Sequence, residues 1–125
     1  MESLVGLRAE IERVVSADDT AEALGSGDVV VLATPRLIAW LEAATVTALD
    51  GHLSPGITTV GISVEVRHRA PSPIGEVVIL RAHLVQHEGR RLEFAVEAKS
   101  AVGKLLAEGS VTRAVVERAR FLGGL

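Results

Sequence analysis

The feature that most constrains this chain is a single change of hydrophobic period. The stretch TPRLIAWLEAATVTALDG repeats its apolar residues at helical spacing, whereas from residue 58 to residue 116 the period is two. In the helical stretch Leu37, Ile38, Leu41, Ala44, Thr45, Ala48 and Leu49 form one wide apolar face. Thr34 as N-cap followed by Pro35 predicts its start, and Asp50-Gly51 predicts its end. In residues 58–68 one strand face carries Val60, Ile62, Val64, Val66 and His68, and the other carries Glu65 and Arg67. Residues 76–86, 91–100 and 105–116 alternate in the same way, separated by the turns His87-Glu88-Gly89-Arg90 and Ala101-Val102-Gly103-Lys104. Ahead of the helix, residues 7–15 read as a strand. Asp19-Thr20-Ala21-Glu22 then reads as a capping box opening a short helix that stops at Gly25-Ser26-Gly27. Clean alternation joined by short turns predicts antiparallel hairpins with one wet face. The expectation is an α+β fold, about five antiparallel strands wrapped around one long helix, with residues 1–125 as a single domain.

Composition narrows the function classes. The aromatic residues are Trp40, Phe94 and Phe121, so Val, Leu, Ala and Ile must build the core. The chain has no cysteine, which removes disulfide and thiolate chemistry. No apolar run is long enough for a bilayer, and MESLVGLRAEIER is too charged for a signal segment, so a cytoplasmic protein with no membrane partner is expected. A net charge of -3, with arginines scattered among glutamates, argues against a nucleic-acid partner.

Three residues stand out as chemistry. Strand parity turns His68 toward the helix, and Ala70-Pro71-Ser72-Pro73 after it can form one wall of a cleft in which an imidazole acts as acid or base. A backbone carbonyl partner would explain the same placement. Glu42 sits on the edge of the apolar helix stripe, either as a solvated flank or as a carboxylate able to orient a histidine, activate water or attack a carbonyl. Thr34 is explained by capping alone. A helix start also offers free N–H groups and a positive dipole end to an oxygen gaining charge, and a hydroxyl there can serve as nucleophile. Together the three are raw material for hydrolysing an acyl ester or thioester. Eight helical residues put Thr34 and Glu42 about 12 Å apart along the axis. Either Thr34 leaves the helix line, His68 bridges the two, or a partner subunit completes the site.

Other patterns carry less. His83 and His87 lie four apart in a strand with no third ligand nearby, so no metal is expected. The glycines lack a phosphate-loop context. Arg67, Arg69, Arg90 and Arg91 could meet the phosphates of an acyl carrier or simply solvate a face.

With these residues in place, the chain resembles the hotdog-fold acyl-CoA thioesterases, and among them the fluoroacetyl-CoA thioesterase branch. ATPRLIAWLEAA, TTVGISVEVRHRAPSPIGE, GRRLEFAVEA and the A-x-G-x-x-x-R run from Ala107 to Arg113 carry the resemblance. It implies catalytic roles for Thr34, Glu42 and His68, and a backbone N–H of Gly61 facing the acyl group. It also implies coenzyme A as part of the substrate, no separate cofactor and no metal. The assembly it implies is a homodimer, with further pairing into a tetramer left open, whose sites lie at the subunit interface. The fluoroacetyl-selective branch closes its acyl pocket with phenylalanines ahead of the Thr, whereas ALGSGDVVVLA contains no aromatic residue. A pocket lined by Val and Leu for another short acyl group is therefore expected. The same pocket would also suit a non-catalytic module binding acyl-CoA or a small hydrophobic ligand.

Overall fold

A computed structural model describes residues 2–125. In chain order the elements are β1 (Arg8–Val14), a 3-10 turn (Ala17–Asp19), α1 (Ala21–Leu24), α2 (Thr34–Leu49), β2 (Ile57–His68), β3 (Val77–Glu88), β4 (Arg91–Ser100), β5 (Leu105–Glu117) and α3 (Arg118–Gly123). The five strands form one antiparallel sheet in the order β1-β3-β4-β5-β2. β1 and β2 are therefore opposite edges, and α2 is the connection that carries the chain from one edge to the other across the inner face.

The apolar stripe of α2 explains that path. Leu37, Leu41, Ala44, Thr45, Ala48 and Leu49 are buried, and they meet the inward set of β3 (Val78, Leu80, Ala82, Leu84) and β4 (Leu92, Phe94, Val96, Ala98). Each buried leucine contributes about 1.5–3 kcal/mol relative to exposure. With Phe94 the one fully buried aromatic residue, aliphatic packing supplies nearly all of this core.

Three local features depart from the sequence pattern. First, the register between β2 and β5 slips: Gly61 opposes Arg113 and Ser63 opposes Thr112, so Ile62 is an extra residue. The slip reverses the alternation. Downstream, Val64, Val66 and His68 oppose the inward Val111, Gly109 and Ala107 as expected. Upstream, Gly61 and Thr59, not Ile62 and Val60, take the inner face opposite Arg113 and Val115. Ile62 is turned out at 55% exposure.

Second, the caps are shifted. Asp19 closes a box over the 3-10 turn with Ser16, while Thr20 caps α1 by accepting the Ala23 N–H at 3.2 Å. The N-cap of α2 is Ala33, and Thr34 is already in the first helical turn. Its hydroxyl is not used for capping.

Third, a short helix, α3, follows β5, docked by the Arg118 N–H on the Gly56 carbonyl (2.9 Å). No alternation or cap marked it in the sequence.

Candidate active site

The candidate residues fall into two groups at the two ends of β2. The first joins Thr34 and His68. The start of α2 lies against the end of β2, and Thr34 Oγ1 is 2.8 Å from His68 Nδ1. With Nδ1 unprotonated, the hydroxyl donates and the ring carries its hydrogen on Nε2. His68 Nε2 is buried without a hydrogen-bond partner among the described residues. Burial is the larger influence and holds the His68 pKa below the ordinary 6.5, with the nearby Ala70 backbone pulling the other way. The ring is therefore biased toward its neutral, proton-accepting form near pH 7.

Beside this pair lies a cleft of about 370 Å3 whose walls include Ala21, Val29, Val31, Leu32, Ala70 and Pro71. Val29, Val31 and Leu32 from the segment ahead of α2 line it together with Ser26, and no aromatic side chain does. Arg69 stands at its rim, but Glu108 grips its guanidinium through Nε at 2.7 Å and Nη2 at 2.6 Å.

The second group joins Glu42, Gly61 and Arg113. Glu42 extends from the third turn of α2 onto the inner face of β2, where a β-carbon at Gly61 would lie 2.5 Å from its Oε2. The slip at Ile62 makes this contact possible by turning a residue without a side chain toward the carboxylate. Thr45 Oγ1 donates to the Glu42 carbonyl (2.6 Å) and ties down that helical turn. Arg113 Nη1 donates to Glu42 Oε2 (3.3 Å), Nε to Thr59 Oγ1 (2.9 Å) and Nη2 to the Thr59 carbonyl (3.3 Å). The Arg113 side chain is only 8% exposed. Its burial lowers the guanidinium pKa, and the Glu42 charge and hydrogen bond counter that effect.

Arg113 was not among the candidates picked from sequence. The signal was present, because Arg113 falls on the same face of β5 as Val111 and Val115, and a cation on an apolar strand face calls for a carboxylate partner.

The two groups do not meet within one chain. Gly61 and His68 are seven residues apart on a strand rising about 3.3 Å per residue, so about 20 Å separates them once the slip is allowed for. Thr34 and His68 are brought together, and Glu42 and Gly61 are brought together, but Glu42 does not reach His68. Of the other histidines, His83 lines a charged trough of about 510 Å3 on the outer sheet face, where Arg81 pairs with Glu10 at 2.7 Å. His87 accepts the Leu4 N–H at Nδ1 (3.1 Å) and its Nε2 lies 3.0 Å from the Gly89 carbonyl. Neither faces the cleft.

The family model for the fluoroacetyl-CoA-specific thioesterase FlK matches residues 15–119. The chain belongs to this family. The fluoroacetyl-CoA thioesterase of Streptantibioticus cattleyicolor is 35% identical over 91 residues, which are 73% of this chain and 65% of that enzyme's length. A solved structure of the fluoroacetyl-CoA thioesterase FlK superposes with a TM-score of 0.88 at 31% identity, covering 96% of this chain and 93% of that one. A thioesterase superfamily member from Thermus thermophilus gives a TM-score of 0.90 at 28% identity, covering 98% and 91%. A hot-dog-like protein from Thermanaerovibrio acidaminovorans gives 0.86 at 25% identity, covering 96% and 88%. The fold is the hotdog fold of this thioesterase superfamily.

Proposed function

We propose that the protein is an acyl-CoA thioesterase that hydrolyses a short aliphatic acyl-CoA at a site shared by two copies of the chain. The observation that carries this reading is the Thr34 hydroxyl held 2.8 Å from His68 Nδ1, at a helix start and beside an aliphatic cleft. That combination offers an attacking group, a base for its proton and dipoles for the developing oxyanion. Family membership supports it, and so does the solved complex of an FlK variant with fluoroacetate and CoA. The cleft walls carry aliphatic residues and no aromatic one, which favours an acyl group other than fluoroacetyl.

A second copy resolves the separation of the two groups. β2 is an edge strand with Ile62 and Val64 exposed at 55% and 39%, the kind of edge that pairs with another chain. With Ile62 left out of the count as the extra residue, an antiparallel two-fold pairing of β2 centred on Glu65 sets Gly61 opposite His68 of the partner subunit, and His68 opposite the partner's Gly61. Each site then combines Thr34 and His68 of one chain with Glu42, Gly61 and Arg113 of the other. The Glu42 carboxylate comes within reach of the unpartnered His68 Nε2–H, as the group that orients a catalytic imidazole.

In this arrangement the thioester carbonyl carbon is attacked by the Thr34 hydroxyl or by a water. His68 takes the proton, and the Gly61 N–H and the α2 start hold the oxyanion. The C–S bond breaks, and coenzyme A leaves as the thiol after proton return from His68. If Thr34 is the attacking group, a water then releases the acyl chain. No further cofactor or metal takes part. A cytoplasmic setting and the whole chain acting as one domain complete the reading.

The test is thiol release from a panel of short and medium acyl-CoAs, wild type beside His68→Ala. Release that depends on His68 is expected. An acyl-CoA that binds and stays intact would instead make the protein a binding module.

A further inference from the structure

The start of α2 lacks a cap of its own: the N-cap is Ala33, and the Thr34 hydroxyl is turned away to His68. What holds this helix start in place comes from Asp19. The Asp19 backbone carbonyl accepts the Ala33 N–H at 2.9 Å. Asp19 Oδ1 lies 3.0 Å from Arg36 Nε. The Arg36 N–H is off the line to that oxygen, so this is a charge contact more than an aligned hydrogen bond. Ala33 and Arg36 bracket Thr34-Pro35, so one residue grips the helix start on both sides of the candidate nucleophile.

Asp19 is itself immobilised. Its Oδ2 accepts from both the N–H and the Oγ of Ser16 at 2.8 Å, and its side chain is only 14% exposed. The next residue, Thr20, bridges to Leu32, whose N–H donates to the Ser72 carbonyl at 2.8 Å, in the segment that follows His68. The ties therefore run from Asp19 to both partners of the 2.8 Å contact. A carboxylate near a helix start also favours the local dipole, and the Arg36 charge keeps Asp19 from adding a net negative charge beside a developing oxyanion.

We infer that Asp19, acting through Ala33 and Arg36, is the positioning residue that holds the Thr34 hydroxyl against His68. Asp19 touches no reacting atom. Its effect is on geometry, where displacements of about 1 Å can cost up to about a hundredfold in rate. The kinetic consequence rests on the thioesterase reading, whereas the structural one does not.

The experiment compares wild type, Asp19→Ala, Arg36→Gln, Thr34→Val and a control, Leu49→Val, at the far end of α2. The His68 ring nitrogens are followed by 15N NMR, alongside melting temperature and thiol-release kinetics. Thr34→Val marks where the His68 signals lie when the contact is gone. Asp19→Ala and Arg36→Gln are expected to move the His68 Nδ1 signal toward that position and to lower kcat by about tenfold with KM held. Leu49→Val should lower the melting temperature and leave both the signal and kcat in place. If Asp19→Ala misfolds, Arg36→Gln alone carries the test. Unmoved His68 signals in Arg36→Gln and in any folded Asp19→Ala, with only the melting temperature lowered, would overturn the inference. His68 signals that move in a protein whose wild type releases no thiol from any acyl-CoA would support the positioning and sink the thioesterase reading instead.

Discussion

A site divided between two chains makes a quantitative prediction for mixed dimers. Within one chain, about 12 Å of helix rise lies between Thr34 and Glu42, and about 20 Å of strand lies between Gly61 and His68. A glutamate side chain spans only a few ångström, so no rotamer of Glu42 reaches His68 of its own chain. His68→Ala destroys one half of the site and Glu42→Ala the other, and either homodimer keeps no intact site. Loss of a general base or its orienting group costs about 10²–10⁴ in rate, so both proteins should be nearly silent. In a dimer of one His68→Ala chain and one Glu42→Ala chain, both lesions fall in the same site and the second site is wild type. Random pairing of equal amounts makes half of the dimers mixed, so about a quarter of wild-type activity should return under the two-fold arrangement.

The assay is thiol release after the two proteins, carrying different tags, are co-expressed or refolded together. A pair with lesions in the same half provides the control: Thr34→Ala mixed with His68→Ala breaks both sites of the mixed dimer and should recover nothing. If the His68→Ala and Glu42→Ala mixture is no more active than the two proteins apart, although mixed dimers form, the site is not shared. Wild-type activity in a species that light scattering shows to be monomeric would refute the arrangement as well.

Further expectations follow from single contacts. Because the neutral ring is the active form, thiol release should rise with pH as His68 loses its proton; burial lowers the His68 pKa and the partner's Glu42 carboxylate in the shared site raises it, so Glu42→Gln should move the acid limb to lower pH, and an unmoved limb would contradict the pairing of the two residues. For the chain by itself, burial sets the sign of the stability effect. A ring that binds its proton more weakly folded than unfolded makes the protein less stable as pH falls from 6.5, and thermal melts of wild type and His68→Gln should diverge there. Gly61→Ala puts a methyl group where Glu42 Oε2 sits, and the flexible carboxylate must yield, so kcat/KM should fall at least about tenfold with little change in melting temperature. Gly109→Ala has no such escape, because its β-carbon would run into the backbone carbonyl of Glu65 on β2; a loss of about 2 kcal/mol or more in denaturant unfolding is expected. Leu41→Ala, under the centre of α2, should cost about 2–5 kcal/mol in the same assay.

The architecture was legible because two periods dominate the chain. The 3.6-residue stripe of α2 and the two-residue alternation of β3 and β4 are each buried on one face, so the pattern and the packing demand the same thing. Thr34 and His68 could each be picked out because helix start and strand end are both local signals, while their contact was one of several arrangements left open. The separation of Glu42 from His68 could be anticipated only as an open question, since it depends on which strands become edges. Arg113 was readable as a cation on the apolar face of β5, but its partners Thr59 and Glu42 became visible only once β2 and β5 were in register. The helix α3 carried no periodic signal, and its docking on Gly56 is a tertiary contact.

Two of the places where local rules fail lie at the candidate site. Threonine followed by proline should cap a helix, and giving up that hydrogen bond costs about 1 kcal/mol. The helix instead starts one residue earlier, and the Thr34 hydroxyl is free to meet His68. Likewise, Val60, Ile62, Val64 and Val66 form an unbroken apolar alternation, so no pattern could reveal that one of these residues is extra. An inward Ile62 would compete with Glu42 and Arg113 for the same space above β2. The slip moves Ile62 out to the edge and puts Gly61 beneath the carboxylate. Each shift is a single residue, and each gives up local regularity to place a polar group. What distinguishes these two exceptions is the polar group each one places: a hydroxyl freed to meet His68, and the Glu42 carboxylate above a glycine.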